Sequence, residues 1–189
     1  MDIQDKVLSN NPEAQIDKLN IAYVYAAQQH RGQIRQSGEA YLSHPLNVAY
    51  ILAEMKMDVD CIIAGLLHDT IEDTDTTYEV IDEMFGLSVA FLVDAVSKIS
   101  KIPFQSKEEK QAESFRKMLI SMSDDIRVII IKLADRLHNM RTIESLREDK
   151  QKRIARETMD IYAPLADRLG IAWIKWELED RAFRVLNPE

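Results

Sequence analysis

Apolar residues in this chain recur at three- and four-residue intervals over most of its length. That is the spacing of a helix face, not the alternation of a half-buried strand. Ile16, Leu19, Ala22, Tyr23 and Ala26 make one such run, and Leu133, Leu137 and Met140 another. Gly and Pro number five each in 189 residues, too few for a turn-rich sandwich of short strands. The expectation is an all-α fold in one domain over residues 1–189, with 1–11 as a flexible lead-in. A chain of this length buries a core without disulfide or metal staples.

The pattern predicts helices over 12–31, 44–55 and 58–69, the second after a loop at 32–43 that holds Gly32 and Gly38. Asp58 can cap the third helix. The polar stretch Glu72–Thr77 reads as an excursion, with Thr76 or Thr77 capping a short helix to Phe85. Gly86 breaks that helix and 87–100 makes the next. Residues 102–106, with Pro103, read as a linker. Helices follow at 107–122 and 124–144, with Ser123-Asp124-Asp125 as the cap between them. The last two, 149–163 and 171–186, are separated by Pro164 and Gly170. Val128-Ile129-Ile130-Ile131 is β-branched, yet the helical pattern continues through Leu133, so it reads as buried helix. Trp173 and Trp176 read as packing residues of the final helix.

The formal net charge of -8 shows no basic stripe of the kind a nucleic-acid binder carries. It leaves room for a phosphorylated small molecule, because a bound cation can supply the positive field locally. The single Cys61 lies in the apolar run Cys61–Leu67 and reads as a buried small hydrophobe, so no intrachain disulfide forms. No signal-like apolar segment follows Met1 and no stretch is long enough to span a bilayer. A cytoplasmic protein without a membrane or nucleic-acid partner is expected.

Three segments carry chemistry. Leu67-His68-Asp69-Thr70-Ile71-Glu72-Asp73 sets an imidazole beside a carboxylate at a helix end, two ligand types suited to one divalent cation. His68 and Glu72 share a face if the helix continues. Asp135, Asn139 and Thr142 fall at i, i+4 and i+7 on one face of an apolar helix, and such a polar stripe is costly unless solvated, paired or bound. His44-Pro45 places a histidine at a helix start just after a flexible loop. Composition and spacing alone leave open a metal site, a solvated face and packed histidines.

The wider context is more specific. Arg35-Gln36-Ser37-Gly38-Glu39 with His44-Pro45, then His68 to Asp73, then Ala134 to Thr142, then Arg156 to Ala166 resemble, in order, the hydrolase domain of the RelA/SpoT alarmone enzymes, an HD-type metal phosphohydrolase. The likeness runs from about Ala22 to the C-terminus. It implies an HD-domain helical bundle that hydrolyses (p)ppGpp at the 3′ position, releasing pyrophosphate and leaving GDP or GTP, with one Mn²⁺ ion. By motif match, His44, His68, Asp69 and Asp135 hold the metal. Glu72 and Asp73 handle the attacking water, Glu72 as the main acid–base group and Asp73 as its helper, with the reverse assignment open. Arg35 resembles an arginine that stacks on guanine, with Gln36 and Ser37 beside it, and Asn139 and Thr142 resemble the pair that reaches ribose and 3′-phosphate. Gln36 stands where Lys or Ser is common, and Asp167 where His or Asn is common. His30 and His138 are open between packing and bracing the site. The likeness also implies an N-terminal hydrolase domain, followed in the full-length protein by a synthetase domain. The alternatives are a phosphohydrolase on NADPH or a dNTP, or a non-catalytic alarmone-sensing module.

Overall fold

The computed structural model describes residues 2–101 and 124–188, and the expected linker at 102–106 and helix at 107–122 lie outside them. The described residues are helical apart from loops, a 3-10 turn and an isolated antiparallel bridge between Ile34 and Ala40. In chain order the helices are α1 (Ile3–Asn10), α2 (Ile16–Gln29), α3 (Ser43–Glu54), α4 (Val59–Leu67), α5 (Thr70–Asp73), α6 (Tyr78–Phe85), α7 (Leu87–Ser100), α8 (Ile126–Arg141), α9 (Glu148–Glu157), α10 (Ala163–Arg168) and α11 (Ala172–Leu186). None is long and apolar enough to cross a membrane.

The caps follow the side chains that can make them. Asp58 accepts from the Cys61 N–H at 3.1 Å and starts α4, and Thr77 starts α6. Asp125 starts α8 by accepting from the Arg127 N–H at 2.9 Å. Gly86 turns the chain from α6 to α7 at φ +89, where an L side chain is strained. The core lies where α3, α4, α7 and α8 meet, filled by Ile51, Leu52, Ile62, Ile63, Leu66, Leu92, Ile129, Leu133 and Leu137. At Gly65 a Cβ would stand 2.5 Å from the end of the Leu52 side chain and 3.7 Å from the Ala49 backbone, so α4 sits close on α3 and a larger residue there requires Leu52 to move. That close seat brings the end of α4 over the start of α3.

Three expectations are corrected. Residues 1–11 do not form a loose lead-in: Ile3–Asn10 is helical, Val7 is buried, and the Asn10 side-chain amide donates to the Ala53 carbonyl at 3.0 Å, tying α1 to the end of α3. Pro164 does not separate two helices. A π-helical turn over Thr158–Tyr162 carries the backbone from α9 into α10, and this widened turn lies directly ahead of Pro164, which cannot donate to the preceding turn. Trp173 and Trp176 do not pack the last helix; they are 43% and 68% exposed. The buried stripe of α11 is Ile174, Leu178 and Ala182, and the two tryptophans project off it.

Candidate metal centre

Three helices converge on one point. His44 lies in the first turn of α3, His68 and Asp69 in the break between α4 and α5, and Asp135 midway along α8. Ligand atoms of His44, His68 and Asp135 lie within 4.8 Å of one another. His44 Nε2 is 3.1 Å from Asp135 Oδ1 and 3.7 Å from Asp69 Oδ2. His68 Nε2 is 3.2 Å from Asp69 Oδ1 and 3.7 Å from Asp135 Oδ1. Both imidazoles and Asp135 are buried, and Asp69 is half-buried.

The hydrogen bonds fix which ring nitrogens carry protons. His68 Nδ1 lies 2.7 Å from the Gly65 carbonyl, an acceptor only, so Nδ1 bears the hydrogen and the neutral ring's Nε2 offers a lone pair. That Nε2 is buried and makes no hydrogen bond. His44 Nδ1 lies 2.7 Å from His138 Nδ1, and Arg35 Nη1 reaches the same His138 atom at 3.4 Å. Arginine only donates, so His138 Nδ1 is the acceptor and His44 Nδ1 the donor, which leaves His44 Nε2 turned to Asp135 Oδ1. Burial, with the charges of His44 and Arg35, holds the His138 pKa down to about 3, in keeping with that acceptor role.

The Nε2 atoms of two imidazoles thus face two carboxylates across 3–4 Å, where either protons on the rings or one bound cation can balance the negative charge. Burial opposes a charged His68, but Asp69 and Asp135 outweigh it and raise its pKa. Burial also opposes ionisation of Asp69 and Asp135, yet His68 lowers the first and Lys132, His44 and His68 lower the second well below the usual range. With the imidazole protons displaced, His44, His68 and Asp135 offer two nitrogens and a carboxylate within reach of one divalent ion, a donor set of intermediate hardness, and Asp69 stands beside them.

The remaining polar atoms brace this set. Asp135 Oδ2 accepts from Lys132 Nζ at 2.7 Å, and Oδ1 from the Asn139 amide at 2.7 Å. Tyr41 Oη lies 2.7 Å from Asp69 Oδ2 and 2.9 Å from Asp73 Oδ2. The helix does not run on from His68 to Glu72. It breaks at 68–69 and restarts as α5, and Glu72 lines the cleft over the metal centre. Burial and the Asp69 charge raise the Glu72 pKa, against Ser97, Lys132 and Lys101.

Two adjoining hollows flank the site and share Arg35, Ser100, Lys132, Asn139 and Leu146. One contains the metal-side residues with Gln36; the other, about 340 Å³, continues past Thr142 to Arg136, Arg153 and Tyr162. Arg136 stacks on the Tyr162 ring at 4.1 Å and pairs with Glu157. Arg35 Nη2 donates to Thr142 Oγ1 at 3.2 Å. The structure therefore brings together His44, His68, Asp69, Asp135, Glu72, Arg35, Gln36, Asn139 and Thr142. Ser37 stands exposed at the loop tip outside both hollows, and Asp73 is turned to Tyr41.

Sequence reasoning passed over Tyr41 and Lys132 and left His138 open. Lys132 had a signal: a charged residue inside the apolar run 129–133, one turn before Asp135. Tyr41 had none, because its partner Asp73 is 32 residues away.

With this geometry in view, comparison with known proteins is informative. The HD domain family profile matches residues 22–172. The chain is 59% identical over 177 residues to the bifunctional (p)ppGpp synthase/hydrolase SpoT of Escherichia coli K12, covering 94% of this chain and 25% of that protein. It is 59% identical over 182 residues to a GTP pyrophosphokinase of Myxococcus xanthus, covering 95% and 24%. The chain thus spans about a quarter of the length of these relatives. Among solved structures, a metazoan ortholog of SpoT that hydrolyses ppGpp superposes with a TM-score of 0.66 at 29% identity, over 88% of this chain and 94% of that one.

Proposed function

This chain belongs to the HD domain family, and from that premise we propose that it is a Mn²⁺-dependent hydrolase of guanosine 3′,5′-bis(diphosphate). It removes pyrophosphate from the 3′ position, leaving GDP from ppGpp and GTP from pppGpp. The observation that carries the reading is the pair of imidazole Nε2 atoms, on His44 and His68, turned onto the carboxylates of Asp69 and Asp135 beside a cleft lined by Glu72. The guanosine substrate is supported by the 59% identity to a protein named as a (p)ppGpp synthase/hydrolase.

A divalent ion held by these four residues supplies Lewis acidity and a water of lowered pKa. The chain's own groups do the rest. Glu72, with its raised pKa and its place on the cleft, takes the proton from the attacking water. Asp73 assists from behind it. Lys132 keeps Asp135 ionised, and so a competent ligand. Arg35 and Gln36 from the loop, with Asn139 and Thr142 from α8 and its end, form the walls against which the nucleoside and its 3′-phosphate lie. Ser37 joins them only if the loop tip folds inward over substrate. In the full-length protein a synthetase domain accompanies this one, in keeping with relatives about four times as long as the matched segment.

The test is side-by-side turnover of ppGpp, NADPH and dGTP by protein freed of metal and reloaded with Mn²⁺. Pyrophosphate release from ppGpp, with the other two inert, is the expected result. No turnover of ppGpp, or equal turnover of NADPH, overturns the reading.

A further inference from the structure

Among the described residues, Tyr41 touches both a candidate metal ligand and the second carboxylate of the acidic pair. Its Oη lies 2.7 Å from Asp69 Oδ2 and 2.9 Å from Asp73 Oδ2. We propose that Tyr41 is a positioning residue of the hydrolytic site, whose hydroxyl ties Asp73 to Asp69 and thereby leaves Glu72 as the carboxylate facing the cleft. The inference deepens the hydrolase reading above and rests on it.

The phenol is seated from several sides. Its ring packs against buried His30, with centroids 4.7 Å apart. His30 Nδ1 donates to Gln33 Oε1 at 2.8 Å, and the Gln33 amide donates to the Asp73 carbonyl at 3.1 Å. The Tyr41 N–H donates to the Gln33 carbonyl at 3.0 Å, and the bridge between Ile34 and Ala40 closes the loop between them. The loop that carries Arg35 thus grips the end of α5 twice, by the Asp73 backbone through Gln33 and by the Asp73 side chain through Tyr41.

Packing alone explains the ring and not the hydroxyl. A phenylalanine would fill the same seat against His30. The oxygen instead stands between two carboxylates that repel each other, and its single hydrogen serves them in turn. Two consequences follow. Asp69 is held by an outer hydrogen bond that sets the direction of its oxygens, as ligating carboxylates are in metal sites. Asp73 is drawn to Tyr41 and, unlike Glu72, does not line the cleft.

Tyr41→Phe keeps the ring and removes the hydroxyl, and it is tested in two ways. In a titration with Mn²⁺ alone, followed by electron paramagnetic resonance, the affinity falls about tenfold, the usual cost of losing an outer-shell partner. With ppGpp, kcat falls about 10- to 100-fold while KM stays put, because the group acts through a carboxylate and not on the nucleotide. At saturating Mn²⁺, where the weaker hold on the ion through Asp69 no longer shows, the double variant with Asp73→Asn has the kcat of Asp73→Asn alone. Wild-type kcat in Tyr41→Phe, or a double variant whose loss is the product of the two single losses, overturns the proposal. If the unaltered protein is inert toward ppGpp, the substrate reading has failed and the Mn²⁺ titration decides for Tyr41: a tenfold loss supports the role, and unchanged affinity overturns it.

Discussion

Replacing Lys132 with Met removes the ammonium that neutralises a buried carboxylate. In the native protein Lys132 Nζ is 2.7 Å from Asp135 Oδ2 and 2.8 Å from Ser100 Oγ, and the two charged side chains are only 10% and 8% exposed. Methionine fills much the same space, so little of the effect is cavity. Leaving one charge of a buried pair without its partner costs about 3–5 kcal/mol. Part of this returns, because His44 and His68 lie 3.1 and 3.7 Å from Asp135 Oδ1 and can take up a proton. The expectation for metal-free protein is therefore the low end, about 3 kcal/mol, or about 6–12 °C in Tm for a chain of this size. Mn²⁺ at 100 times its Kd adds about 2.7 kcal/mol to parent and variant alike, so the gap is read in metal-free protein. Because the folded-state pKa of Asp135 is depressed, the stability it contributes is present above the unfolded carboxylate value and is lost as pH falls through the folded one. The gap between variant and parent is thus full at neutral pH and closes in strong acid. Urea and thermal unfolding with chelator measure it. A metal-free variant within about 0.5 kcal/mol of the parent refutes the reasoning.

Glu72→Gln lowers kcat for ppGpp about 10²- to 10⁴-fold, the range of general acid–base catalysis, while Mn²⁺ affinity is unchanged; Asp73→Asn costs less, and equal losses in steady-state assays would show that both carboxylates share the proton. Mn²⁺ binding releases a proton from His68, because Asp69 and Asp135 raise its pKa although burial opposes the charged ring, so affinity rises with pH. Calorimetry in buffers of different ionisation enthalpy counts the proton, and a count of zero contradicts the assignment. Val7→Ala costs about 1–2 kcal/mol in urea unfolding, since Val7 is buried; no loss would mean that α1 does not pack.

The helical class, the buried course of Val128–Ile131 and the limits of α7 were legible because each rests on local periodicity and local caps. Asp58 and Thr77 fall in the same group. What escaped depends on contacts distant in sequence. Tyr41 meets Asp69 and Asp73 only after α3 is packed against α4. His138 could not be told from a packing histidine until Arg35, 103 residues away, was seen to donate to it. Trp173 and Trp176 looked like core because they are large and apolar; the buried face of α11 was instead taken by the smaller Ile174, Leu178 and Ala182. Pro164 looked like a break because a π-helical turn is not written in any single residue. Around the centre, spacing alone left a metal site open, and it was the likeness of the motifs, in order, to the RelA/SpoT hydrolase domain that joined His44, His68-Asp69 and Asp135. The turn of both Nε2 atoms toward the carboxylates came only from the Gly65 carbonyl and from His138.

The most direct measurement is pyrophosphate release from ppGpp as Mn²⁺ is added back to metal-free protein, run in parallel with His68→Ala. The account predicts no release before addition, a rise that saturates at one Mn²⁺ per chain, and no rise in the variant. Release that is undiminished in metal-free protein, or that persists in His68→Ala, contradicts it.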